Sequence, residues 1–274
     1  MSDTEAPRIF YSLEDLLRVM ERLRDPASGC PWDLKQSFTS IVPSTLEECY
    51  ELADAIERND LAHVADELGD VLFQVVFYSQ LGAEQDAFDF GEVVDGLVRK
   101  LIRRHPHVFA NGDIEGLVRH ALSSAEVKAN WEAIKQVERD SKAQHGALAD
   151  VPVALPALPR AQKLQKRAAT VGFDWNHLHA VVKNLEDELV ELKDALVSGN
   201  ADHIADEFGD VLFSAVNLGR HLELDCEAAL RQANVKFERR FVRMEIAASK
   251  DGQSLRDLSV EQLESLWLAA KLSE

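Results

Sequence analysis

Basic residues are scarce in this chain. Thirty lysines and arginines stand against 48 aspartates and glutamates, a formal charge of −18. That balance argues against a nucleic-acid binder working through a broad basic face. An anionic substrate would need a local basic pocket or a cation. Cysteine is scarcer still, with only Cys30, Cys49 and Cys226. Their odd number and wide spacing argue against a disulfide framework and against a zinc-ligand pattern. A reducing, cytoplasmic compartment is the simplest expectation. No apolar run approaches the roughly 20 residues that span a bilayer, so no membrane partner is expected. The opening MSDTEAPRIF has no basic region followed by an apolar stretch, and no secretory leader is expected from it. Glycine and proline number 13 and 8, while apolar residues make up 46% of the chain. Few breakers and ample core material lean toward packed helices and away from global disorder.

What the chain does contain is an acidic phrase written twice. HVADELGDVLF, His63 to Phe73, returns as HIADEFGDVLF, His203 to Phe213, at a spacing of 140 residues. Upstream, LEECYELADAI (Leu46 to Ile56) falls on EDELVELKDAL (Glu186 to Leu196) at the same spacing. A looser match sets KLIRRH (Lys100 to His105) on KFERRF (Lys236 to Phe241), and Asn130-Trp131-Glu132 sits as late in its half as Ser265-Leu266-Trp267. One domain has been duplicated. The stretch HGALADVPVALPALP carries three prolines, which interrupt helix. It marks a linker at 145–158 between domains at 1–144 and 159–274.

Strand alternation is nowhere convincing, so both halves read as all-α helix bundles. Ser44 with Glu47 predicts a capping box, as does Ser259 with Gln262. Leu46, Tyr50, Ala53 and Ile56 predict one helix, and Leu68, Leu72, Val75 and Val76 the next. Asn59-Asp60 and Gly199-Asn200 predict the breaks between paired helices. Trp32 and Trp175 are expected to anchor the start of each bundle.

Glu48 and Glu51 are i and i+3 on one helix, and Glu67 and Asp70 are i and i+3 on the next. A short connection makes the two helices antiparallel neighbours. Four carboxylates then face one another beside Val71, Leu72 and Phe73, and the second half repeats the set with Glu188, Glu191, Glu207 and Asp210. Clustered acids at the edge of a core are costly unless a cation joins them. Oxygen ligands alone favour a hard ion, Mg²⁺ or Mn²⁺, and Mg²⁺ commonly binds phosphate oxygens. A single E-x-x-E is ordinarily a solvated face; the doubled, paired pattern is far more specific. A di-iron bundle would use E-x-x-H, which these helices lack. His63 and His203, four residues before Glu67 and Glu207, are within reach of the site, but surface histidines are the commoner outcome.

These residues resemble the MazG family of nucleoside triphosphate pyrophosphohydrolases. Its signature E-E-x-x-E then E-x-x-D stands here as Glu47-Glu48-x-x-Glu51 with Glu67-x-x-Asp70, and as Asp187-Glu188-x-x-Glu191 with Glu207-x-x-Asp210. CPWD, RRHPHVF, VGFDW and KFERRF flank it. The resemblance implies an all-α fold, a homodimer, and Mg²⁺-dependent hydrolysis of nucleoside triphosphates to monophosphate and pyrophosphate, with catalysis in the second half. It implies that Lys236 and Arg240 hold phosphates, that Trp267 lies near the nucleotide, and that Asp187 and Asp206 flank the metal motif. Two-domain relatives can carry lysines where this chain has Asn184 and His203, so phosphate affinity or nucleotide preference could differ here. Lys100, Arg104 and Trp131 occupy the supporting places in the first half. The alternative function is a nucleotide- or metal-sensing protein that binds without turnover.

Overall fold

In a computed structural model the chain divides into two compact units, Met1–Gln136 and Val137–Glu274. The structure describes residues 10–116, 123, 126–127, 130–131, 134, 138, 146–149 and 151–273. Glu132, and His145 and Asp150 of the expected linker, lie outside them. Among the described residues every regular element is helical, with nine α-helices, short 3₁₀ turns and no strand. The all-α expectation is met.

The first unit contains α1 (Leu13–Leu23), α2 (Phe38–Glu57), α3 (Leu61–Ala83) and α4 (Phe90–Arg104). α3 is the centre, packed by α1, α2 and α4. The core is Met20, Ile41, Val76, Phe77 and Leu81, with Leu16, Leu17, Phe38, Phe73, Tyr78 and Phe90 closing around it. α2 begins two turns earlier than Ser44 predicts. Ser37 caps it, with Ser40 returning the bond in a capping box. Ser37 and Ser40 satisfy the orphan amides first, and Pro43 is then carried inside the helix. The predicted breaks do occur. Asn59 takes a left-handed turn at φ 57° and Asp60 caps α3.

The second unit contains α5 (Ala157–Ala169), α6 (Leu178–Ser198), α7 (Ala201–His221), α8 (Cys226–Lys250) and α9 (Val260–Leu272). α6 packs along α7, α5 crosses α7 and α8, and α9 lies on α8. Pro159 sits in the first turn of α5, where proline has no intrahelical bond to lose. Gly199, at φ 69°, makes the same left-handed break as Asn59, and Asn200 caps α7. Ser259 and Gln262 form the predicted box on α9.

Each unit has its own polar lock. In the second, Asp174 accepts from both Arg220 guanidinium nitrogens and lies 3.0 Å from His221 Nε2. The Arg220 guanidinium holds the Asp174 carboxyl down at about 2, against an ordinary 3.8. Such a carboxylate contributes stability above its unfolded value and loses it as pH falls through the folded one. Asp174→Asn is therefore expected to cost about 1–2 kcal/mol at neutral pH. It should also flatten the loss of stability between about pH 4 and pH 2. Urea unfolding across that range measures both, and equal curves for variant and wild type would contradict the assignment.

One expectation fails and another holds only in part. Trp32 and Trp175 are 57% and 45% exposed, so neither is packed into a core of the described residues. Of the residues that mark α3, Val76 is buried, but Leu68, Leu72 and Val75 are exposed. Their spacing correctly marks the helix, yet it traces a face that the described residues of the unit leave exposed.

Candidate functional site

The inward face of α2 runs through Ile41, Thr45, Glu48, Leu52 and Ala55, an i, i+4, i+7 stripe. Glu48 is thus the one acid of its motif turned toward α3. On α6 the same stripe is Val181, Leu185, Glu188, Leu192 and Ala195. Across from each lies the E-x-x-D of the partner helix. One carboxylate oxygen from each of Glu48, Glu67 and Asp70 lies within 4.8 Å of the others, and Glu188, Glu207 and Asp210 do the same. Glu51 and Glu191 are exposed and stand outside these triads. One residue short of the inward position on a helix is a rotation of about 100°, which carries them to the rim.

The triads are electrostatically tense. Desolvation, then the charges of Asp70, Glu51, Glu67 and Glu47, raise the proton affinity of Glu48 above the ordinary 4.5. Desolvation, then Asp210, Glu191 and Glu207, raise that of Glu188, against a bond from Asn184. Desolvation with Glu51, Asp70 and Asp66 raises Glu67 too. Raised carboxylates favour the fold below their unfolded value, and that support is lost as pH rises through the folded one. At neutral pH each triad therefore opposes folding unless a cation joins it. Glu207 points the same way. Its Oε2 is buried without a hydrogen-bond partner. Three oxygen donors and an orphaned buried oxygen fit a hard divalent ion.

The surrounding residues differ between halves. Asn184 Nδ2 donates to Ser214 Oγ at 2.8 Å and to Glu188 Oε1 at 3.3 Å. At the equivalent places the first half has Ser44 and Gln74. His203 is at the surface, as expected, and its Nε2 also approaches the site, lying 3.1 Å from Glu207 Oε1. His63 instead places Nδ1 2.7 Å from Asp60 Oδ2. Asp187 is exposed and pairs with Lys183 at 2.8 Å, while Asp206 is exposed.

The expected phosphate-binding residues form a separate constellation on α8 and α9. Trp267 packs on Phe237 with centroids 5.3 Å apart, and the Arg240 guanidinium lies 5.7 Å from the Trp267 ring centre. Lys236 is exposed one turn before Arg240. In the first half Lys100 and Arg104 lie on α4, and Trp131 approaches His105 at 6.4 Å.

The family model of the MazG nucleotide pyrophosphohydrolase domain matches residues 36–109 and 176–242. Both segments hold one acidic helix pair. A nucleoside triphosphate pyrophosphohydrolase of Escherichia coli strain K12 is 47% identical over 264 residues, 96% of this chain and 98% of its own length. A nucleoside triphosphate pyrophosphohydrolase/pyrophosphatase of Thermotoga maritima is 43% identical over 258 residues, 94% of this chain and 95% of its own. An uncharacterized protein of Bacillus subtilis strain 168 is 38% identical over 98% of this chain, which accounts for 54% of that protein's length. The duplicated acidic helix pairs and the similarity along nearly the whole chain agree: this chain belongs to the MazG family and carries the family's domain twice.

Proposed function

We propose that the chain hydrolyses nucleoside triphosphates to nucleoside monophosphate and pyrophosphate, dependent on Mg²⁺, with water attacking the α-phosphorus. The observation that carries this reading is the triad Glu188, Glu207 and Asp210, with its orphaned Glu207 oxygen. Relatives that share nearly its full length bear the pyrophosphohydrolase name. Glu188, Glu207 and Asp210 would hold the ion, with Glu191 at the rim as the fourth acid. Mn²⁺ suits the same oxygens. In the first half Glu48, Glu67 and Asp70 would hold a second ion, with Glu51 at the rim. When bound, the metal neutralises phosphate charge and acidifies water.

The chain's own side chains do the rest. Lys236 and Arg240 neutralise the departing pyrophosphate. Trp267, braced by Phe237, offers a flat apolar surface to the nucleotide. Asn184, Asp187 and Asp206 border the substrate. A carboxylate of the cluster takes the proton of the attacking water. Catalysis belongs to the second half. Residues 1–144 and 159–274 serve as the two domains, joined by 145–158. A cytoplasmic homodimer is the working form; each unit leaves apolar side chains exposed on its acidic helix pair, Leu46, Tyr50, Leu68 and Leu72 in the first unit and Phe208 and Leu212 in the second. No described helix is long and apolar enough to cross a membrane.

The test is hydrolysis of common nucleoside triphosphates with Mg²⁺ or with chelator, pyrophosphate and phosphate being quantified separately. Pyrophosphate formed only with the metal supports the reading. Phosphate as the primary product would overturn it, and binding without turnover would favour a sensor. A thermal melt gives a second check. Mg²⁺ or Mn²⁺ at 100 times its dissociation constant is expected to stabilise the fold by about 2.7 kcal/mol. With the concentration held at that pH 7 value, the gain should be smaller at pH 5, where protons compete for the triads. Equal gains at both pH values would contradict metal binding at these carboxylates.

A further inference from the structure

The two halves hold the same acids but not the same support. Glu207 is 13% exposed as a side chain, and His203 fixes one of its oxygens. An ionised carboxylate only accepts hydrogen bonds, so Nε2 of His203 donates. That bond turns Oε1 outward to the ring and leaves Oε2 buried, without a partner. In the first half the same histidine, His63, is drawn away from Glu67 to Asp60. Histidine and glutamate are four residues apart in both halves, so spacing cannot explain the difference.

The helix cap can. Asp60 caps α3 and has a second carboxylate oxygen to spare. Oδ1 accepts from the His63 amide at 3.3 Å and Oδ2 takes the His63 ring at 2.7 Å. Asn200 caps α7 with its one carbonyl oxygen, which accepts from the amides of Asp202 and His203. It has no carboxylate left for the ring, so His203 is free to reach forward to Glu207.

We propose that His203 is a positioning residue that presents Glu207 to the divalent ion, and that the cap residue, Asn200 against Asp60, confines this device to the second half. The second triad is therefore the tighter of the two metal sites. The inference rests on the proposed metal-dependent reading, and it assigns His203 a role distinct from direct contact with phosphate.

Mn²⁺ titration of the full chain tests it. A Glu67→Gln background isolates the second site, and a Glu207→Gln background the first. Circular dichroism checks that every variant is folded. His203→Ala should weaken the second site about tenfold, as loss of an orienting partner typically does. His203→Gln, which keeps an N–H donor at similar reach, should restore most of the affinity. His63→Ala should leave the first site unchanged.

The cap swaps give the sharpest contrast. Asn200→Asp adds a negative charge, which alone would strengthen cation binding; by withdrawing His203 it should weaken the second site several-fold. Asp60→Asn removes a negative charge, yet should strengthen the first site by freeing His63 for Glu67. Shifts in the opposite sense, unchanged affinity in His203→Ala, or no Mn²⁺ binding by the wild type would overturn the inference. Affinities ordered as expected in a chain that hydrolyses no nucleoside triphosphate would overturn the proposed function alone. Hydrolysis with affinities that ignore His203 would overturn this inference alone.

Discussion

Glu207→Gln is expected to lower kcat for nucleoside triphosphate hydrolysis by on the order of 10³-fold, equivalent to about 4 kcal/mol of transition-state stabilisation. Glutamine nearly preserves the shape of the side chain and its contact with His203, so folding is spared. What disappears is a charge, on a side chain that is only 13% exposed and whose Oε2 is buried with no partner. Negative charge must converge where phosphate oxygens and water are brought together, and a neutral amide there contributes a dipole of the wrong kind. Steady-state kinetics with Glu67→Gln alongside assigns the active half. Loss confined to Glu207→Gln places turnover in the second half. Partial losses in both variants mean two working sites. Wild-type rates in Glu207→Gln would remove the second triad from the reaction.

Arg24→Ala is expected to destabilise the first unit by about 2–3 kcal/mol. Arg24 is buried, with its Nε and Nη2 on the two Glu84 oxygens at 2.7 and 2.6 Å. Its Nη1 reaches the Asp33 carbonyl oxygen, and its guanidinium lies 5.3 Å from the Phe77 ring centre. One side chain thus ties the end of α1 to the CPWD segment and to the end of α3. Removing it empties the guanidinium space and strips Glu84 of the partner that holds its carboxyl below the ordinary range. Glu84 keeps a third of its exposure, so water recovers part of the loss. Lysine should rescue poorly, because an ammonium cannot make the forked pair and the carbonyl contact together. Hydrogen exchange reports the effect locally. Amides of α1 and the C-terminal half of α3 should lose protection, and unchanged protection there would contradict the role of Arg24.

The repeat at 140 residues made most of the architecture legible. Asn59-Asp60, Gly199-Asn200 and Ser259-Gln262 announce helix boundaries through local chemistry that needs no tertiary context. The carboxylate pairs were legible for the same reason, since i and i+3 share a helix face. What local spacing could not supply was the rotation of each helix against its partner. Glu48 turned inward and Glu51 did not, because the inward stripe follows Ile41, Leu52 and Ala55. Leu68, Leu72 and Val75 recur at helical spacing, but apolar periodicity does not distinguish a core face from one left for another surface. Ser44 looked like a cap because nothing local forbade it; Ser37 and Ser40 had already begun the helix. His203 was the subtlest case. The same letters in the same register produce two different contacts, and the choice falls to a single cap residue three positions earlier.

The most direct test of the account is to run one turnover in ¹⁸O-water with Mg²⁺ and locate the label by mass spectrometry. Attack at the α-phosphorus forms the new P–O bond on the nucleotide and breaks the bridge to the β-phosphorus. Label in the nucleoside monophosphate, with unlabelled pyrophosphate, is the predicted result. Label in pyrophosphate or in free phosphate would place the attack elsewhere and contradict the account.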